Sequence, residues 1–217
     1  MASLPTFDYE QQLWRQGFQR VAGIDEAGRG ALAGPVVAAV VIAPMDTVYG
    51  GVWAKVRDSK LLSAQQREAL VVDIEEQAAG WAIGSMTAAV IDQENIAVAT
   101  RMAMQQAIRK LRPAPDHLLI DWVKLPQLNI HQMSLTKADQ QIVSVAAASI
   151  LAKVYRDRLM VTLAQDYPAY GFARHKGYGT AAHRAAIARH GPCPIHRHSF
   201  APIAQKHALF ELPTNQA

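Results

Sequence analysis

Cysteine is almost missing: Cys193 is the only one in 217 residues, so no internal disulfide can form and a cross-linked secreted scaffold is excluded. Long apolar runs are missing too. The longest, Val36 to Ala43, spans eight residues, against the ~20 that a membrane-spanning helix needs. The opening MASLPTFDYE has neither a basic nor an apolar leader region, so the expectation is a soluble, cytoplasmic protein with no membrane contact. There is no repeat, low-complexity tract or Gly/Ser linker to divide the chain. Aromatic residues make up only 7%, but the apolar share of 50% is ample for a core without help from disulfides or partners. One domain, residues 1–217, acting as a monomer is expected.

Charge is unevenly placed. Residues 1–136 carry 12 Lys and Arg against 14 Asp and Glu, whereas residues 137–217 carry 10 against 4, with six of the eight histidines. A basic last third suits a polyphosphate ligand, although a merely solvated face would look the same.

Patterning predicts an α/β protein. A short helix is expected at about Tyr9–Gln16, strands at Arg20–Ile24 and Pro35–Ile42, and a helix opened by a Ser63/Gln66 capping box and ending near Ala78. A strand at Trp81–Thr87, a helix capped by Asp92 and running to about Leu111, and strands at His117–Ile120 and Leu128–Met133 follow. The chain then gives helices at Gln140–Leu163 and Thr180 to about Arg189, separated by a glycine-containing loop.

Acids at strand ends next to glycine turns are the most informative residues, because a packed strand fixes the carboxylate and the turn leaves room for a ligand. Asp25 and Glu26 follow one predicted strand and Asp121 follows another, at the edge where open α/β sheets bind ligands. Asp139, at the start of the long helix, reads as a fourth acid or simply as a helix cap. Clustered carboxylates raise one another's pKa and must either protonate or bind cations. All-oxygen ligands suit Mg2+ or Mn2+, and a pair of such ions can clamp both oxygens of a phosphoryl displacement. The residues alone leave open whether the four acids meet.

Five blocks in order, Gly23-Ile24-Asp25-Glu26-Ala27-Gly28-Arg29-Gly30, Asp58-Ser59-Lys60, Lys137-Ala138-Asp139 with Ala147 to Val154, His175-Lys176-Gly177-Tyr178-Gly179-Thr180, and Ile195-His196-Arg197 with Ser199-Phe200, closely resemble ribonuclease HII over residues 20–203. The resemblance implies a ribonuclease H-like five-stranded mixed sheet flanked by helices. It divides the chain into a catalytic core of about 1–165 and a basic helical C-terminal region of about 166–217. It further implies an endonuclease that hydrolyses the RNA strand of RNA/DNA hybrids and cuts 5′ of single ribonucleotides embedded in duplex DNA, leaving 3′-hydroxyl and 5′-phosphate ends. By the same resemblance Asp25, Glu26, Asp121 and Asp139 are its metal-binding catalytic acids. One departure stands out: the family often has glycine after the third acid, and here Trp122 follows Asp121. Asp116 is the nearby rival, but it lies at the other end of its predicted strand.

Sensing a 2′-hydroxyl requires close backbone approach, which a glycine turn permits. The resemblance assigns that turn to Gly28-Arg29-Gly30 and a sugar-stacking role to Tyr178. Lys60, Lys176 and Arg197 are expected phosphate contacts. The glycine spacing does not fit a dinucleotide-binding fingerprint, and there is no Walker lysine. His190, Cys193, His196 and His198 could hold zinc, but a hydrogen-bonded histidine cluster is the expectation. Gln205–Phe210 (QKHALF) resembles peptides that bind a DNA sliding clamp, although an amphipathic helix would explain it as well. Another nuclease of the same fold, such as a junction resolvase, and a catalytically silent hybrid-binding module are the alternatives.

Overall fold

The computed structural model describes residues 4–45 and 47–204. In chain order the elements are α1 (Asp8–Arg15), β1 (Val21–Ala27), β2 (Val36–Ile42), α2 (Ala64–Gln77), β3 (Gly80–Met86), α3 (Ala88–Glu94), α4 (Ile96–Lys110), β4 (His117–Asp121), β5 (His131–Leu135), α5 (Val143–Asp166), α6 (Phe172–His175) and α7 (Ala181–His190). Short 3₁₀ turns lie at Ser59–Leu61, Ala138–Gln140 and Pro168–Tyr170.

The five strands form one sheet in the order β3-β2-β1-β4-β5. β1 pairs antiparallel with β2 and β2 with β3, while β4 and β5 continue parallel from β1. The mixed sheet implied by the resemblance is therefore present. β2 is buried at every position, as its unbroken valine and alanine run requires of a strand covered on both faces. Strand alternation sorts the core. Ala22, Ile24, Val36, Ala38 and Val40 pack on α4, whereas Ala27, Ala39 and Val41 pack with Val143, Ala147, Ile150 and Leu151 of α5. A Cβ at Gly23 would meet the Ser144 backbone at 2.2 Å, so glycine there lets β1 and α5 lie unusually close. Met160 of α5 and, beyond that helix, Tyr170, Phe172, Ile187, Cys193 and Ile203 gather with Leu32 and Ala33 in a further cluster that ties the C-terminal helices to the β1–β2 turn.

Three sequence expectations need correction. Asp25 and Glu26 lie within β1 rather than after it, because pairing with Ala39 and Ala38 extends the strand to Ala27. Asp92 caps no helix. Thr87 caps α3 and Asn95, at φ +69°, caps α4 by accepting from the Ala97 and Val98 N–H groups, so the expected single helix is two. β5 begins at His131, not Leu128, and as an edge strand exposed on alternate residues it has little hydrophobic pattern to mark it. The Ser63/Gln66 capping box forms as read. No described helix is long and apolar enough to cross a membrane, and the segment Gln205–Phe210 lies outside the described residues.

Candidate active site

β1 and β4 run parallel with Ile24 opposite Ile120, so the next residue on each strand, Asp25 and Asp121, emerge side by side on the α5 face. Glu26, one step on, points to the other face. The 3₁₀ turn Ala138–Gln140 brings Asp139 to the same end of the sheet, and its Ala138 N–H donates to Asp121 Oδ1 at 2.8 Å. The result is a cleft of ≈ 250 Å³ lined by all four acids together with Gly28, Arg29, Lys60, Lys153, Ser149 and Tyr178. Asp116 is elsewhere, accepting from the Gln19 and Arg20 N–H groups before β1.

The acids are confined and like-charged. Asp25 is 6% and Asp139 4% exposed. Burial, then the Glu26 and Asp121 charges, push Asp25 well above the usual carboxylate range, while Ser149 donates to it and moderates the effect. Burial raises Glu26 to about 7 even though Arg29 and Trp122 oppose it. Asp121 is raised chiefly by burial, and Asp139 by burial followed by the nearby charges of Asp58 and Asp121. Lys60 answers this field: burial alone would lower its pKa, but Asp58, Asp139, Asp25 and Asp121 together raise it. Its ammonium lies 3.9 Å from both Asp58 and Asp139 on a side chain that is 80% exposed.

The donor chemistry fits divalent metal. All four acids offer hard oxygen atoms, and Glu26 Oε2 is a buried carboxylate oxygen with no hydrogen-bond partner. Among the described residues no three His, Cys, Asp or Glu side chains are gathered around a single point, so the acids surround a volume rather than one ready-made ligand position.

The glycine turn is held from beneath. Gly28 has φ +91°, and a Cβ there would lie 1.9 Å from Arg156 Nε, so no other residue fits. At Gly30 a Cβ would meet nothing within 4 Å, leaving that backbone open to a ligand. Arg197, expected at a phosphate, is instead fully buried. It donates to the carbonyls of Arg29 and Gly28, each at 2.7 Å, and to Gly34 at 2.9 and 3.1 Å. All three nitrogens of its guanidinium are thus engaged by backbone carbonyls, which makes it a positioning residue for the turn. Lys176 turns to the Ala173 carbonyl and borders a separate hollow with Arg67, Asp157 and Arg158, outside the acid cleft. Tyr178 does line the cleft, with Lys153 Nζ and the Arg156 guanidinium 5.6 and 5.2 Å from its ring centroid.

Ser149 and Lys153 were missed as site residues because they sit in an alanine-rich helical stretch. The signal was their i, i+4 spacing, which places both on one face of α5. Ser149 Oγ is 3.0 Å from Ser59 Oγ, joining α5 to the Asp58-Ser59-Lys60 turn. Lys153 is paired to Asp157 at 2.6 and 2.8 Å.

A histidine cluster exists: Cys193 and His196 belong to it as expected, and His183 joins them. His183 Nδ1 donates to the Tyr178 carbonyl, so its Nε2 accepts from His196 Nε2, and His196 Nδ1 accepts from the Cys193 N–H at 2.9 Å. Burial and His183 lower His196 to about 4, which keeps it neutral in this chain. His190 makes a ring contact with Tyr170, and the His198 backbone N–H donates to Asp92. Among the described residues, the ring nitrogens of His183 and His196 are thus taken up by hydrogen bonds.

Trp122 occupies the position where a glycine was expected, at φ +48°. A left-handed backbone is what favours glycine there.

The chain matches the family model "Ribonuclease HII" over residues 22–203. Ribonuclease H2 from Pyrococcus horikoshii superposes with a TM-score of 0.74 at 26% identity, covering 89% of this chain and all of that one. The ribonuclease HII of a PCNA complex from Archaeoglobus fulgidus does so with a TM-score of 0.69 at 26% identity, covering 83% and 95%. The ribonuclease HII of Herpetosiphon aurantiacus is 53% identical over 196 residues, 90% of this chain and 95% of that protein. Likeness at that level across nearly the full length of both proteins places the chain in the ribonuclease HII family, and makes it a metal-dependent ribonuclease H endonuclease acting on RNA/DNA hybrids.

Proposed function

We propose that the cleft also cuts duplex DNA 5′ of a single embedded ribonucleotide, leaving 3′-hydroxyl and 5′-phosphate ends, with Asp25, Glu26, Asp121 and Asp139 as catalytic acids that together hold two Mg2+ or Mn2+ ions. The supporting observation is that four acids, separated along the chain, line one cleft with raised pKa values and an orphaned carboxylate oxygen. When bound, the metal pair supplies the charge that activates the attacking water and stabilises the departing 3′ oxygen.

The remaining work falls to the chain. Asp25, fixed by β1 and by the Ser149 hydroxyl, and Asp121, fixed by the Ala138 N–H, present their free oxygens toward the scissile phosphate. Lys60, exposed at the rim beside Asp139, is placed to meet a phosphate oxygen. The Gly28-Arg29-Gly30 backbone, rigid because Arg197 holds its carbonyls, reads the 2′-hydroxyl. Tyr178 stacks on the adjoining sugar. Arg29 lines the same cleft, whereas Lys176 reaches the duplex only beyond it. The protein acts as a monomer in a reducing, cytoplasmic setting, consistent with its one buried thiol. The PCNA complex of the archaeal relative supports a sliding clamp as partner for Gln205–Phe210.

The test is incubation in Mg2+ with a duplex carrying one ribonucleotide, with end analysis of the products. Cutting 5′ of the ribonucleotide, with the all-deoxy duplex left intact, is expected. Cleavage of the all-deoxy duplex would point to a resolvase-like nuclease, and binding without cleavage to a silent hybrid-binding module.

A further inference from the structure

Trp122 is a large aromatic side chain in a costly place. It immediately follows Asp121, keeps a left-handed φ of +48°, and is still 45% exposed. Burial therefore does not explain why the backbone tolerates it. Its indole Nε1 donates to Glu26 Oε1 at 3.4 Å, and the Arg29 guanidinium carbon lies 3.9 Å from its ring centroid. The ring is thus fixed at the mouth of the acid cleft. On its other flank lies a hollow of ≈ 100 Å³ lined by Ala97, Thr100, Arg101, Trp122, Val123 and Lys124. Among the described residues neither Arg101 nor Lys124 has an ion-pair partner, unlike Lys153 and Arg158, which are paired to Asp157 and Glu68.

We propose that Trp122, Arg101 and Lys124 form a docking surface for the nucleic-acid strand flanking the cut nucleotide. The indole supplies a stacking face for a base or sugar, and the two cations meet successive phosphates. The inference rests on the reading of the acid cleft given above and extends the substrate track beyond it. Charge decides the occupant: an aromatic ring sharing a hollow with two cations that have no ion-pair partner among the described residues complements a polyanion, whereas an apolar protein partner would have to bury both charges without compensation.

The test is fluorescence anisotropy with a labelled duplex carrying one ribonucleotide, in EDTA, where neither metal nor turnover contributes. Trp122→Ala should weaken binding about tenfold, as the loss of one base stack does, while Trp122→Phe stays within about threefold of wild type. Trp122→Gly gives the sharpest separation, since glycine relieves the positive φ. That variant should melt no lower than wild type and yet bind about as weakly as Trp122→Ala. The Arg101→Ala/Lys124→Ala pair should reduce the slope of log Kd against log salt by about 2. Binding by Trp122→Ala within twofold of wild type, equal losses in Trp122→Phe and Trp122→Ala, an unchanged salt slope, or no duplex binding by wild type would each overturn the docking surface. Cleavage of the same duplex by wild type in Mg2+ is scored separately, so a failed hydrolysis reading remains distinct from a failed docking surface.

Discussion

Two groups of buried charge sit within one turn of chain from each other. At the end of β1 and β4, Asp25, Glu26, Asp121 and Asp139 crowd together, with their pKa values pushed up and Glu26 Oε2 left without a partner. Just beneath the glycine turn, Arg156 and Arg197 are both fully buried, yet their donors all go to backbone carbonyls: Pro35, Lys176 and Ala33 for the first, Gly34, Arg29 and Gly28 for the second. Burial pulls Arg197 down to about 9, with Arg156 adding to the effect, which still leaves it charged at neutral pH. One group is completed by the fold itself. The other would be completed by the cations proposed above. In the proposed reading the crowded acids are the working part of the molecule and the compensated arginines its support, whereas Glu10, which also keeps an unpartnered Oε2, is a single buried carboxylate held by the Ser144 N–H.

That contrast predicts opposite signs for charge removal. The largest expected effect is at Asp25. Asp25→Asn should fold, with an unchanged circular dichroism spectrum, and lose about 10³-fold or more in cleavage rate, since several kcal/mol of transition-state stabilisation depend on that oxygen pair. Full activity in Mg2+ would remove Asp25 from the chemistry.

Next comes Arg197. Truncation to alanine strands the Gly28, Arg29 and Gly34 carbonyls, and denaturant unfolding should show a loss of about 3–5 kcal/mol, with Arg197→Lys recovering part of it. A neutral outcome would mean that the turn holds itself.

The smallest effect is a gain. Glu26 has a folded pKa of about 7 against an ordinary value of 4.5, so the folded protein binds the extra proton between those pH values. Stability from that proton is full below about pH 4.5 and is lost as pH rises through 7. Metal-free Glu26→Gln should therefore be more stable than wild type by about 2–3 kcal/mol at pH 8, with the advantage shrinking toward zero near pH 4.5. A destabilised variant at pH 8 would contradict the idea that this acid is held under repulsion.

The same comparison explains how far the sequence could be read. Asp25, Glu26 and Asp121 were legible because each lies at the end of an apolar strand beside a turn, a local pattern that survives without knowledge of the fold, whereas Asp139, in a 3₁₀ turn, was assigned only by the resemblance. Their meeting was not legible, since it depends on the parallel register of Ile24 with Ile120. The role of Arg197 was hidden for a related reason. Its carbonyl partners lie 163 to 169 positions away, and a cation in a loop carries no local sign of burial. Ser149 and Lys153 were obscured inside a helix whose alanine content dominates its pattern. Trp122 was visible as an oddity, but its positive φ and its contact with Glu26 depend on the turn after β4, not on its neighbours in sequence.

The claim on which the rest depends is that the four acids act as one cation site. Titration of Mn2+ into the metal-free protein, followed by calorimetry with proton release recorded near pH 6.5, tests it directly. Wild type should bind and release protons as the raised carboxyls ionise, while Asp121→Asn and Asp139→Asn should each bind markedly more weakly. Binding that is absent in wild type, or that both variants retain unchanged, would contradict it.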